Sequence, residues 1–145
     1  MRTTIYILIL FALVSVGCAA PQTKPLSEEE ISRVLESVSQ GKQVDRDTLY
    51  RALISDQTYL RACAARLLGE VGDATSVPHL IDALSDQSVH VGADYPDAGM
   101  ATTRYWANES LKKLTKQDFG FVWNAPGVER QAAIKRWQVW FQSTK

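Results

Sequence analysis

A polar segment near the middle of the chain contains the residues that come closest to forming a chemical site. His90, Asp94 and Asp97 lie within the thirteen residues from Val89 to Ala101, with Tyr95 between the two aspartates. Imidazole and carboxylate groups are ligands that a divalent metal ion accepts. The spacing of these groups matches no established ligand pattern, and glycine and proline indicate irregular backbone. We interpret the segment as a solvated loop, with a metal site as the alternative.

Two cysteines and a second histidine are the remaining candidates for catalysis. Cys63 lies among alanines on a predicted helix, and the sequence indicates no base or positive charge that would activate its thiol. We interpret Cys63 as a small core residue. His79 lies opposite the apolar stripe of its helix, and the sequence has no glycine-rich phosphate loop and no His-Glu-x-x-His pair. We therefore predict no catalytic, cofactor-binding or metal-binding residue, and a protein that is not an enzyme.

The amino-terminal segment has the features of a secretory signal. Arg2 is basic, an apolar run extends from Thr3 to Val16, and Gly17 precedes Cys18. The segment resembles a bacterial lipoprotein signal, in which the cysteine is acylated and becomes the first residue of the mature chain. The resemblance implies a signal peptide over residues 1–17, a lipidated tether over 18–26 and a lipid on Cys18. The alternative is an uncleaved membrane anchor, but the apolar run is shorter than the roughly 20 residues that span a bilayer.

The residue after the cysteine and the overall charge bear on location and on partners. Ala19, rather than aspartate, follows Cys18. Under the common sorting rule for such lipoproteins this implies the periplasmic side of the outer membrane in preference to the inner membrane. The chain has 16 Lys and Arg residues against 16 Asp and Glu residues. Because nucleic-acid binders rely on a basic patch, we predict no nucleic-acid partner.

Apolar residues recur at helical spacing from Ser27 onward. Ser27 with Glu30 forms a capping box, and the apolar stripe of the first helix stops before Gly41. Five further segments have the same periodicity, and no segment alternates with a period of two. The pattern predicts an all-α fold of six helices. The residues expected on the buried sides of the second and third helices are Leu49, Tyr50, Leu53, Ile54, Leu60, Cys63, Ala64, Leu67, Leu68 and Val71.

A short pattern occurs twice, thirty residues apart, as ISDQT at 54–58 and LSDQS at 84–88. Helix pairs with such a period are typical of α-solenoids. The stretches LRACAARLLGEVGD (60–73) and SVPHLIDALSD (76–86) resemble the two helices of the short bacterial HEAT repeats, the phycobilisome-lyase-type HEAT-like family. The resemblance implies a short α-solenoid, a HEAT-like superhelix of about three antiparallel helix pairs, over residues 27–145.

Arg61 and Arg104 occupy equivalent positions in the repeat. In the family the corresponding arginine is thought to pair with an acidic residue of the preceding turn. The resemblance therefore implies Asp56 and Asp86 as the partners, in a structural ladder between repeats.

A tethered solenoid suits protein binding, because its second helices form a broad concave face. Charges on that face are expected to contribute little to folding. The polar residues expected there are Arg51, His79, Asp82, Lys135 and Gln138. We therefore predict a membrane-tethered protein–protein interaction module, a scaffold or adaptor of the bacterial cell envelope. The alternatives are an accessory subunit of an enzyme, as in lyase-type HEAT proteins, and a purely structural envelope component.

Overall fold

The computed structural model describes residues 24–88 and 102–144, which form six α-helices with no strand among them. The helices are α1 (Glu28–Ser39), α2 (Arg46–Leu53), α3 (Thr58–Val71), α4 (Val77–Ala83), α5 (Thr103–Thr115) and α6 (Gly127–Ser143), with a 3₁₀ turn (Ala74–Ser76) before α4. The predicted all-α class is confirmed for this part of the chain. The lipoprotein signal with Cys18, and the loop residues His90, Asp94 and Asp97, lie outside the described residues.

Side-chain caps explain where several helices begin. The backbone N–H of Ser27 donates to Glu30 Oε2 at 2.8 Å, and the backbone N–H of Glu30 donates to Ser27 Oγ at 3.3 Å. This is the predicted capping box, which satisfies amide groups that have no partner within the helix. Asp45 caps α2 and Thr102 caps α5 without a reciprocal box, because only their side-chain oxygens accept, from the backbone N–H groups of Thr48 and Tyr105. Local sequence therefore determines these three helix starts.

α3 and α5 form the centre of the packed structure. They make the most extensive helix–helix contact, and α3 also packs against α2 and α1. α4 packs against α5 and α6, and it also contacts α2. Burial of apolar side chains between these helices is the main force that holds them together. The largest fully buried apolar side chains are Leu49, Leu60, Leu68, Leu80, Leu84, Leu111 and Trp137.

Small residues allow α3 and α5 to approach closely. Ser110 on α5 donates a hydrogen bond from Oγ to the backbone oxygen of Ala65 on α3 at 2.7 Å. A Cβ atom added to Gly69 would lie 2.4 Å from Ser110 Oγ and 2.9 Å from its Cβ. Any larger side chain at position 69 would therefore push the two helices apart.

The environment predicted for Ile54 is wrong. Ile54 is 59% exposed, whereas Leu84, at the equivalent position of the ISDQT and LSDQS pattern, is 1% exposed. α2 ends at Leu53, and Ile54 caps it with φ −105° and ψ 9°. Because its backbone has left the helical path, the side chain does not continue the buried stripe of α2.

Arg61 joins two inter-helix turns, and its acidic partner is Asp86 of the following turn instead of Asp56 of the preceding one. Its Nε donates to Asp86 Oδ2 at 2.7 Å, and its Nη1 donates to the backbone oxygen of Ser55 at 2.5 Å. Asp56 is exposed and forms no ion pair with another described residue. The pairing of Arg61 with Asp56 is therefore wrong, because Arg61 binds the main chain of the preceding turn and the carboxylate of the following one.

Arg104 binds backbone oxygens, so the implied ion pair between Arg104 and the Asp86 carboxylate is wrong. Its Nη1 donates to the backbone oxygen of Asp86 at 3.0 Å, and its Nε donates to the backbone oxygen of Trp123 at 2.7 Å. Asp86 is thus an attachment point for both arginines. Arg61 binds the Asp86 carboxylate, and Arg104 binds the Asp86 backbone carbonyl group.

Candidate interaction surface

A groove of about 260 Å³ lies between α2 and α4. Tyr50 of α2 and His79 of α4 stack within it, with ring centroids 4.2 Å apart and ring planes at 20°. The other residues that line the groove are Leu53, Ile54, Asp82, Ala83, Ser85 and Asp86. Most of this lining is apolar or aromatic, with acidic groups on the α4 side. The groove can therefore receive an apolar group from a partner.

Hydrogen bonds fix the aromatic wall of the groove in place. The hydroxyl group of Tyr50 lies 3.0 Å from Ser76 Oγ and 3.1 Å from Thr75 Oγ1. Ser76 is fully buried, so this end of the tyrosine is attached to the folded interior. With its phenol held at one end and its ring stacked on His79, Tyr50 forms a preorganised surface, which lowers the entropy lost on binding.

The α4 side of the groove carries a carboxylate that has no counter-ion within the described part of the chain. Asp82 is exposed and takes part in no ion pair there. Asp86 differs, because Arg61 neutralises it. The groove therefore has a negative side chain available to a ligand.

Arg51, expected on the same face as a free polar residue, is already bound within the protein. Its Nη1 and Nη2 donate to Glu30 Oε1 and Oε2 at 2.8 and 2.9 Å, in the bidentate geometry that favours arginine. Its Nε and Nη2 also donate to the backbone oxygens of Lys24 and Pro25. The interpretation of Arg51 as a free surface charge is wrong, since the side chain attaches the segment before α1 to α2.

The pKa of Glu30 makes this attachment measurable. The hydrogen bond from Arg51, together with the backbone N–H of Ser27, lowers the pKa of Glu30 from 4.5 to about 2. A lowered pKa in the folded state means that the carboxylate stabilises the fold above pH 4.5. That stabilisation is lost as the pH falls through the range from 4.5 to about 2.

We expect the Arg51→Met variant to have a lower melting temperature at pH 7 and a smaller loss of stability between pH 5 and pH 2. Thermal unfolding followed by circular dichroism across that range measures both quantities. The control is Arg33→Met, because the Arg33–Glu29 pair is at least 66% exposed on both sides and exposed pairs contribute little. Identical acid profiles for the two variants would show that Arg51 does not hold Glu30 in its ionised form.

The other predicted surface residues divide between two places. His79 and Asp82 both line the groove, as neighbours on α4. Lys135 and Gln138 are exposed on α6 but do not line it. Tyr50, Leu53 and Ile54 do line it, although the sequence assigned them to the core. The exposed end of α2 was missed because the apolar pattern does not show where the helix stops.

Two features of the described residues bear on reaction chemistry, the Cys63 thiol and the arrangement of potential metal ligands. Cys63 is buried, and burial raises the pKa of its thiol, so the sulfur is protonated at neutral pH. No group of three or more His, Cys, Asp or Glu side chains in residues 24–88 and 102–144 is placed to hold a metal ion. The groove between α2 and α4 combines apolar walls, a stacked aromatic pair and an acidic side chain, and we take it as the candidate site for recognition.

Protein-family models, curated proteins and solved structures include no match to this chain. Within the described part of the chain, no helix has the length and apolar character needed to cross a membrane.

Proposed function

We propose that this protein is a membrane-tethered protein–protein interaction module of the bacterial cell envelope. A lipid on Cys18 attaches it to the membrane, on the periplasmic side of the outer membrane, and a short α-solenoid presents the binding surface. The observation that carries the proposal is the groove between α2 and α4, which has apolar and aromatic walls and the Asp82 carboxylate, unpaired among the described residues.

The pattern of helix neighbours supports the solenoid arrangement. α3 lies between α1 and α5, while α4 lies between α2 and α6, as expected for two layers of alternating helices. The turns after α2 and α4 carry the repeated Ser-Asp-Gln sequence, and Arg61 links one turn to the other. Each helix pair then buries its apolar face only by stacking on the next pair.

The size of the groove favours a protein side chain over a small-molecule ligand. Pockets for small molecules generally enclose about 300–1,000 Å³ and surround most of the ligand. The groove holds about 260 Å³ and is open to solvent on one side. An open cleft of this size receives a side chain from a larger partner, as the anchor pockets of protein interfaces do.

The lipid attachment has a direct test. Mass spectrometry of the mature protein should find Cys18 as the amino-terminal residue with its mass increased by acyl chains. The Cys18→Ser variant should leave the membrane fraction. A mature chain that retains residues 1–17 would contradict the tether.

The interaction itself can be tested in cells by site-specific photo-crosslinking. Benzoylphenylalanine in place of Ile54, Val128 or Val139 samples the groove and two exposed positions of α6. Discrete crosslinks from any of these positions support an interaction module, and a crosslink confined to position 54 identifies the groove. The absence of crosslinked protein from all three positions would contradict the proposed function.

A further inference from the structure

We infer that the groove between α2 and α4 binds an aliphatic side chain of a partner polypeptide that also carries an adjacent lysine or arginine. This inference rests on the proposed function and adds the chemistry of the segment that is recognised.

The contrast between Ile54 and Leu84 indicates that the groove binds an aliphatic group. The two residues are equivalent in the repeated pattern, yet the protein covers Leu84 almost completely and leaves Ile54 59% exposed. Ile54 lines a groove whose other apolar and aromatic walls are Leu53, Ala83 and the Tyr50–His79 stack. An aliphatic side chain placed there would remove these apolar surfaces from water, at roughly 25 cal/mol for each Å² buried.

The groove is lined by only part of each helix, which limits the ligand to a single anchor. α2 has 8 residues and α4 has 7. At about 1.5 Å per residue, each helix is roughly 10–12 Å long. A helical ligand with anchors at i, i+4 and i+7 would occupy that whole length. A cleft of about 260 Å³ instead accommodates one large aliphatic side chain with its neighbouring backbone.

The charges on α2 and α4 select a basic neighbour for that anchor. Both arginines of α2 are already paired, Arg46 with Asp73 and Arg51 with Glu30. Asp82 forms no ion pair with another described residue, and neither does Asp47, which is exposed three residues before Tyr50 on α2. Within residues 24–88 and 102–144, the charge on α2 and α4 that has no ion-pair partner is therefore negative. Complementary charge in a partner raises the association rate and the specificity of the encounter.

The inference is tested with a random peptide library displayed on phage and selected on the full chain purified in detergent. The wild-type protein should enrich peptides in which Leu, Ile, Val or Met lies within about three residues of Lys or Arg. Asp82→Lys should enrich aliphatic residues next to Asp or Glu instead. Ile54→Glu should enrich neither class. The control is Val128→Glu, which adds the same charge at a position on α6 that is 84% exposed and should leave the wild-type preference unchanged.

Fluorescence polarisation with one enriched peptide then gives the magnitude. We expect Ile54→Glu and Asp82→Lys each to weaken binding roughly tenfold or more, and Val128→Glu to change it less than twofold. Selection of peptides without a basic residue, or affinities that Asp82→Lys leaves unchanged, would overturn the inference. In that case crosslinks from the α6 positions would still support the proposed function, so the two ideas can fail separately.

Discussion

Truncation of Leu68 to alanine is expected to lower the free energy of unfolding by about 2–5 kcal/mol, the range for fully buried leucines in protein cores. Leu68 lies on α3, has no exposed surface and belongs to the hydrophobic core. Its helix contacts α1, α2 and α5, so the neighbouring side chains are held from several sides and cannot easily collapse into the space. The loss then includes both transfer of the methyl groups and a residual cavity.

Urea unfolding followed by circular dichroism measures this change. The matched control is Leu67→Ala, one residue earlier on α3, because Leu67 is only partly buried. Both variants remove the same atoms, so the difference between them reports the environment of each side chain. A domain of this size has limited total stability, so the Leu68 variant should unfold at a markedly lower urea concentration. Equal losses for the two variants would show that α3 does not pack as the structure describes, with Leu68 buried and Leu67 at its margin.

The helices could be predicted from the sequence because their signals are local. Ser27 and Glu30 cap α1 over three residues, and the Asp45 side chain caps α2. The apolar stripe of α3 likewise needs only helical spacing to be recognised. Gly69 was not singled out, because its role depends on Ser110, which lies more than forty residues away along the chain.

The candidate site was only partly predictable, since its geometry depends on contacts between distant segments. His79 and Asp82 follow from the exposed face of α4, and the structure places both in the groove. The role of Arg51 depends on Glu30 and on the segment before α1, and no local pattern indicates that contact. Ile54 continues the apolar spacing of α2, which predicts burial, but α2 ends at Leu53 and the side chain is left exposed.

Replacement of Arg61 by methionine is expected to lower the free energy of unfolding by about 3 kcal/mol. Breaking one side of a buried ion pair generally costs about 3–5 kcal/mol. The Arg61 and Asp86 side chains retain 16% and 11% exposure, which favours the lower end. Arg61 also donates to Ser88 Oγ at 2.5 Å and to the Ser55 carbonyl, so its loss leaves several acceptors without a donor. The main source of the loss is that the Asp86 carboxylate stays partly buried without its partner.

The pKa of Asp86 gives this ion pair a second signature. Burial raises the pKa, but hydrogen bonds from Arg61 and Ser88 outweigh that effect and lower it below the ordinary value of 3.8. The ionised carboxylate therefore stabilises the fold above pH 3.8, and this contribution is lost as the pH falls further. In Arg61→Met the arginine no longer offsets the effect of burial on the pKa of Asp86. The stability lost on acidification should therefore be smaller than in the wild-type protein.

A double-mutant cycle separates the ion pair from the packing of the arginine stem. Arg61→Met and Asp86→Asn should each destabilise the protein. The double variant should lose less stability than the sum of the two single losses, because it contains no buried charge without a partner. Arg46→Met is the matched control, since its pair with Asp73 is 45% and 48% exposed and should contribute no more than about 1 kcal/mol. If Arg61→Met costs no more than Arg46→Met, or if the two changes at 61 and 86 are additive, the pair does not connect the turns after α2 and α4. The link between successive helix pairs would then depend on apolar packing and on the backbone contacts of Arg104.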